Sequence, residues 1–322
     1  MATLAALLAP LLVQGSQPQS PDIRIRPTPD PVHLFVAQEL DTKMKSGAVE
    51  FQIDIDLEWD LELRFREPRA DGRLGLDVRF EHTGGVITSS LGGRTEFDSE
   101  DGKDDYPGLF NAKIKQLKML AGRTLTVALT PLGRVEEIRG YADIYRGTPL
   151  EEELRRGGEL LTDESFRDDI QSLFALLPEP SESSPSRWEA AYPVTVFEDV
   201  VTFQPRFQLV ESGTEMARWS FVTTTEDGDA AQAVGDSAPR GFVSGADVKS
   251  ASLRGESVVA LRDGLPLRHT IEMTLEIGMK NPFGGPNLPG VVKQHVEVRR
   301  TEQASGDKPP AGGGSVEPGG GR

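Results

Sequence analysis

The chain has no cysteine in 322 residues, which excludes disulfides, thiolate metal sites, thiol nucleophiles and a lipidated N-terminal cysteine. Histidine is nearly as scarce. His33, His82, His269 and His295 stand far apart with no H-x-H or H-E-x-x-H spacing, so only convergence in three dimensions could make them ligands. Positive charge is also short, with 35 Lys and Arg against 51 Asp and Glu and a net charge of −16. Nucleic-acid affinity rests on clustered Lys and Arg replacing counterions, so neither nucleic acid nor an anionic headgroup is an expected partner. Beyond residues 4–13 no apolar run approaches the roughly 20 residues of a membrane helix. No G-x-S-x-G elbow, phosphate-binding G-x-x-x-x-G-K-[ST] loop or dinucleotide-binding G-x-G-x-x-G turn after a strand is found. Plentiful carboxylates leave a paired-acid hydrolase as a minor alternative. No catalytic, cofactor-binding or metal-binding residue is assigned, and the expectation is a protein that is not an enzyme.

What the sequence does have is alternation. In FQIDIDLEWDLELRFR (51–66), Phe51, Ile53, Ile55, Leu57, Trp59, Leu61, Leu63 and Phe65 alternate without a break with polar, mostly acidic residues. Period two places successive side chains on opposite faces of a strand. Burying that apolar row gains roughly 12 to 24 kcal/mol gross, at about 1.5 to 3 kcal/mol per large side chain. Such a row cannot stay wet, so something must cover it. A turn at Ala70-Asp71-Gly72 leads into a second strand over 73–80, then a turn at His82 to Gly85 and short strands over 86–91 and 95–97.

The period then changes. Phe110, Ile114, Leu117 and Ala121 fall at helical spacing, with Gly122 as a C-terminal cap. A two-strand unit turns at Pro131-Leu132-Gly133. From 141 the chain reads helical, ending in a stripe of Phe166, Ile170, Leu173, Phe174 and Leu177 closed by Pro178. After a polar loop over 178–187, period two returns, with strands expected at 195–210, 215–224, 241–253, 256–261, 267–279 and 291–300.

The ends differ in character. Residues 1–15 carry an apolar stretch, LAALLAPLLV, before Val13-Gln14-Gly15 and read as an export signal, although no Lys or Arg precedes the stretch and Pro10 interrupts it. Residues 16–31 read as a flexible spacer and 303–322 as a disordered Gly/Pro-rich tail. One folded domain over 32–302 remains, with a helical insert at about 107–177. The fold class expected is α+β, a large curved antiparallel sheet wrapping that insert like a half-barrel.

Two features invite a chemical reading. Glu96, Asp98, Glu100, Asp101, Asp104 and Asp105 could surround Ca²⁺, but the spacing fails the EF-hand pattern: from Asp98 the glycine comes fifth and Leu109 stands at position twelve. Acidic residues in a strand-to-helix turn account for them more simply. Trp59, Phe174, Leu177, Trp188, Trp219 and Phe221 are the candidate lining for an apolar ligand, with plain core residues as the alternative.

The ordered features, from the Trp59 ribbon through Phe97-Asp98-Ser99, Leu120-Ala-Gly122, LTPLGRVEEIRG (129–140), Leu176-Leu177-Pro178 and Trp188 to the Gly-Leu-Pro-Leu turn at 264–267, resemble an uncharacterised family of exported bacterial proteins. The resemblance covers roughly 45–300. It implies a periplasmic or extracellular location and a layout like periplasmic lipoprotein carriers, a curved sheet around helices and an apolar cavity. It carries no catalytic residue. Many such proteins begin with a lipidated cysteine, which this chain lacks. The function expected is binding of a lipid or other hydrophobic small molecule between sheet and helices. The alternatives are contacts with an envelope protein in assembly, through the acidic strand face, and an outer-membrane barrel, which the helical insert and long polar loops oppose.

Overall fold

The computed structural model describes residues 23–47, 49–67, 71–106, 108, 110–156, 161–178, 186–196, 199–223, 232–233, 246–279 and 288–302. The expected export signal and C-terminal tail lie outside them. In chain order the strands begin with β1 (Val32–Ser46), β2 (Val49–Phe65), β3 (Leu74–Ser89) and β4 (Gly93–Asp98). Helix α1 (Asn111–Lys118) follows, then the hairpin β5 (Thr124–Leu129) and β6 (Val135–Arg139), and the short helices α2 (Tyr141–Tyr145), α3 (Pro149–Arg156) and α4 (Arg167–Gln171). The second half adds β7 (Arg187–Glu189), β8 (Tyr192–Val196), β9 (Asp199–Phe203), β10 (Arg206–Ser212), β11 (Met216–Thr223) and β12 (Gln232–Ala233). Three long strands complete it: β13 (Ala246–Ala260), β14 (Pro266–Met279) and β15 (Leu288–Thr301).

These form one curved, open antiparallel sheet of 12 strands, ordered β6-β5-β3-β2-β1-β15-β14-β13-β11-β10-β7 with β4 on β3, plus a small sheet β12-β9-β8. The expected fold class is therefore observed. The two β blocks meet where the first and last long strands pair, with Val36 opposite Val298 and Thr42 opposite Val292. The opening ribbon is β2, a central strand, with Trp59 opposite Val36 on one side and Thr83 on the other.

The helices cover only part of its apolar row. Trp59, Leu61 and Leu63 are buried, whereas Phe51, Ile53, Ile55 and Leu57 remain half-buried. Over the covered part, Phe166 stacks on Tyr141 at 4.4 Å between ring centres and meets Trp59 at 6.2 Å and Phe80 at 6.0 Å. Helix α1 is fixed from below by the Thr83 hydroxyl, which donates to the Leu117 carbonyl at 3.1 Å.

Several expectations are corrected. No turn interrupts His82 to Gly85: β3 runs straight through, with a register shift that leaves Glu81 unpaired against β2. Gly85 permits this, because a Cβ there would lie 2.2 Å from the Asp56 carbonyl oxygen of β2. The strand expected over 195–210 is instead β9 and β10 with the end of β8. The helix expected to end at Pro178 stops at Gln171. There the Gln171 side chain accepts from the Val135 N–H at 2.8 Å and donates to the Gly133 carbonyl at 3.0 Å, and the Leu177 N–H pairs with the Leu132 carbonyl. Bonding to the β5–β6 hairpin thus replaces further helical turns, and the insert is a set of short pieces rather than long helices.

The expected spacer is also corrected at its end. Ile23 and Ile25 are buried, because the Ile25 N–H bonds to the Pro131 carbonyl at 2.7 Å and the Arg26 N–H to the Asp263 carbonyl at 2.9 Å. Residues 23–26 therefore tie the β5–β6 turn to the β13–β14 turn. These turns belong to opposite wings of the sheet, and the strap holds the curvature at that end.

Candidate functional site

The aromatic candidates Trp59, Trp188, Trp219 and Phe221 fall into two packed clusters. Trp59 joins Phe80 and Phe166, while Trp188 stacks on Phe207 at 5.1 Å and meets Trp219 edge-on at 5.7 Å. Phe221 lies between Phe207 and His269 at 5.1 and 6.1 Å. Phe174, Leu177, Trp219 and Phe221 are buried and Trp188 is half-buried. The Nε1 atoms of all three tryptophans are buried without a hydrogen-bond partner, so the indoles serve here as hydrocarbon mass. Five of the six belong to the buried core, and Trp188 packs against it from a half-buried position.

A cavity of about 340 Å³ opens elsewhere, between the middle of the sheet and the roof made by α4 and β8. Four neighbouring strands build its floor, with Leu253 from β13, Ile271, Met273 and Leu275 from β14, Val292 and Val296 from β15, and Leu40 and Thr42 from β1. Period-two alternation aims all of these to one face. Leu40 is paired with Ile55 and Thr42 with Ile53, so the cavity adjoins the part of the β2 row that the helices leave half-covered. Gln38 and Gln294 interrupt the apolar floor with amides. The roof is polar in and beside α4, where Asp168 and Asp169 of the helix, Ser165 before it and Ser172 after it line the space, and apolar at β8, through Tyr192 and Val194. Burial, with Asp168 and Asp169 adding to it, holds the Tyr192 phenol well above its usual range; the ring therefore stays neutral.

Sequence reasoning passed over this site for a physical reason. Its lining comes from β1, α4, β8, β13, β14 and β15, and no local stretch carries more than a few of its residues. One signal was present: the inward rows of β1 (Val36, Gln38, Leu40, Thr42) and β15 (Val292, Gln294, Val296) are apolar with amides or a hydroxyl set into them. A buried face that tolerates such groups next to a space offers hydrogen bonds to whatever fills it.

Ionisable groups elsewhere are tied into the scaffold. In the acidic loop Asp101 accepts from Lys118 Nζ and from the Tyr106 hydroxyl, and the Lys118 contact above all holds its carboxyl well below the usual range. Asp105 accepts from Asn111 at 2.7 Å and Lys115 at 3.1 Å, and Asp98 meets His82 Nε2 at 3.1 Å. Buried His269 pairs its Nδ1 with the Ser257 hydroxyl at 2.8 Å, and burial pulls its pKa down to about 4. Among the described residues, His33, Glu62 and Glu81 bring one potential ligand atom each within 4.8 Å of one another. This cluster across β1, β2 and β3 was not expected from the sequence, yet Arg64 already holds both Glu62 oxygens at 2.7 and 2.9 Å.

No protein-family profile matches the chain, and no curated protein matches it, so the family resemblance read from the sequence gains no support there. Among solved structures, an outer membrane channel from Pseudomonas putida F1 aligns with a TM-score of 0.24 at 10% identity, over 87% of this chain and 98% of that one. Lipovitellin, in a structure concerned with its lipid–protein interactions, aligns with a TM-score of 0.50 at 11% identity over 89% of this chain. The chain spans 26% of lipovitellin's length, and the likeness is one of fold: a large curved sheet of the lipovitellin kind.

Proposed function

We propose that this protein is an exported, non-catalytic carrier of an apolar ligand, held between the sheet and the α4–β8 roof. The observation that carries the reading is the cavity of about 340 Å³, within the range of about 300 to 1,000 Å³ of small-molecule sites. Its floor is an apolar sheet in which Leu253, Ile271, Met273, Leu275 and Val296 are each buried, a surface suited to an apolar guest. The likeness of the sheet to lipovitellin, a lipid-interacting protein, supports the same reading. Export rests on the apolar N-terminal stretch. No helix among the described residues is long and apolar enough to cross a membrane.

The test is binding of the neutral dye Nile red and its displacement by 1-dodecanol. The expected result is one dye per chain, weakened at least tenfold by Val292→Phe from the floor or Ser172→Phe from the roof, with the unfolding midpoint retained. Folded wild-type protein that takes up neither compound overturns the proposal.

An assembly role through the outer face is the second reading, favoured by one observation. Glu39 stands directly opposite Asp56, like charges that destabilise a sheet unless positive charge covers them, whereas the neighbouring Asp41 is already paired with Lys43 at 3.0 Å and Asp54 with the Gln52 amide. Saturable binding of a Lys-rich peptide, lost in Asp56→Asn, is its expected sign; no binding at low salt counts against it.

A further inference from the structure

We infer that the cavity selects its guest by charge, taking a long apolar molecule with a cationic head and rejecting one with a carboxylate head. This rests on the carrier reading above. The two charged side chains among the described lining residues are Asp168 and Asp169, both on α4; the other polar ones, Gln38, Thr42, Ser165, Ser172, Tyr192 and Gln294, are neutral. No Lys, Arg or His stands among those described lining residues. A guest whose chain lies along Ile271, Met273 and Val292 therefore presents its other end to a roof bearing two negative charges.

A charge near such a partner is screened far less than in bulk water, so the sign of the head group decides the affinity. A cation gains the attraction of both aspartates. An anion meets their repulsion while also losing its hydration. The amides and hydroxyls serve a neutral head about equally well, which places a fatty alcohol between the two. The chain-wide charge of −16 acts in the same direction but at long range, and salt removes that part.

The probes are dodecyltrimethylammonium, 1-dodecanol and dodecanoate, each below its micelle concentration, competing against Nile red at pH 7 and 0.15 M NaCl. The ammonium compound is expected to bind at least tenfold tighter than the carboxylate, with the alcohol between. Asp168→Asn with Asp169→Asn shrinks the ratio to threefold or less. Asp56→Asn with Glu58→Asn on the outer face alters net charge equally and leaves the ratio unchanged. If the α4 double variant does not fold, Ser165→Lys at the exposed rim shifts the roof's charge in the same direction by adding a positive group, and it is expected to tighten dodecanoate binding. Dodecanol binding accompanied by equal or tighter dodecanoate binding overturns the charge selection and leaves the carrier reading intact. If none of the three displaces the dye, both fall. A preference that follows the outer-face substitutions instead of those on α4 also refutes the assignment.

Discussion

Mild acid should destabilise this fold through one residue, His269. Its ring is 2% exposed and paired with the Ser257 hydroxyl, itself 1% exposed, and burial pulls its pKa down to about 4. In the unfolded chain the same imidazole titrates near 6.5. Between those values the unfolded state binds the proton and the folded state does not, so stability increases with pH across the window and is lost as pH falls from about 6.5 towards 4. At about 1.36 kcal/mol per unit of pKa difference, the full loss is about 3 kcal/mol, most of it reached by pH 4.5. The assay is urea unfolding at half-unit steps from pH 7.5 to 4.5, for the wild type and for a variant carrying His269→Phe with Ser257→Ala. Removing both partners avoids leaving a lone buried hydroxyl. Carboxylates and the other histidines contribute to both proteins, so the difference between the two curves isolates His269. That difference should change by about 2 to 3 kcal/mol, in favour of the variant at the acid end. A flat difference across the window refutes the claim that the fold keeps this ring neutral by burial.

Other consequences concern packing and charge. Gly255→Ala would set a Cβ 2.1 Å from the Thr270 carbonyl oxygen and 2.4 Å from Phe221 Cζ; overpacking of this kind costs about 1 to 3 kcal/mol, and an unchanged urea midpoint would contradict the register of β11, β13 and β14. Gln171→Ala leaves the buried Val135 N–H and the Gly133 carbonyl without their partner, a loss of about 2 to 4 kcal/mol by chemical unfolding; a loss below about 0.5 kcal/mol would show that this amide does not hold the α4 end to the hairpin. Asp56→Asn relieves its opposition to Glu39 and is expected to stabilise by about 0.5 kcal/mol at low ionic strength, a gain that 1 M salt abolishes. Equal gains at both salt concentrations would mean that repulsion is not the cause.

The parts of this fold that were readable from sequence are those in which one strand carries its own signal. β2 and β14 show strict alternation because each has one face towards the interior along most of its length, and a one-residue slip would expose the whole row. The boundary of a strand was harder to read where glycine sits inside it. Gly84-Gly85 resembles a turn in sequence, yet Gly85 is there to admit the backbone of β2. The stripe from Phe166 to Leu177 has helical spacing, but the bonds that fix its second half come from Leu132, Gly133 and Val135 on the β5–β6 hairpin, which local periodicity does not report. Ile23 and Ile25 lie in a Pro-rich stretch, and their burial depends on two turns more than a hundred residues away.

The candidate site was the least readable part. Large aromatics suggested a lined cavity, whereas bulk and apolarity are what a packed core uses first. The lining around the observed space is Leu, Ile, Met and Val contributed by neighbouring strands, identical in type to the rest of the core, and only the set-in Gln38, Thr42 and Gln294 mark it as different. The roof depends on where a five-residue helix and a short strand come to rest, which is decided by tertiary contacts rather than by propensity.

The most direct measurement of the central claim is an anomalous diffraction map from crystals grown with 12-bromododecanol, whose head is uncharged and whose bromine marks the chain end. The account predicts a single bromine peak between the sheet and α4, in contact with the side chains around Met273, Leu275 and Val292. A filled, water-free space there, or bromine bound only on the outer face of the sheet, would contradict it.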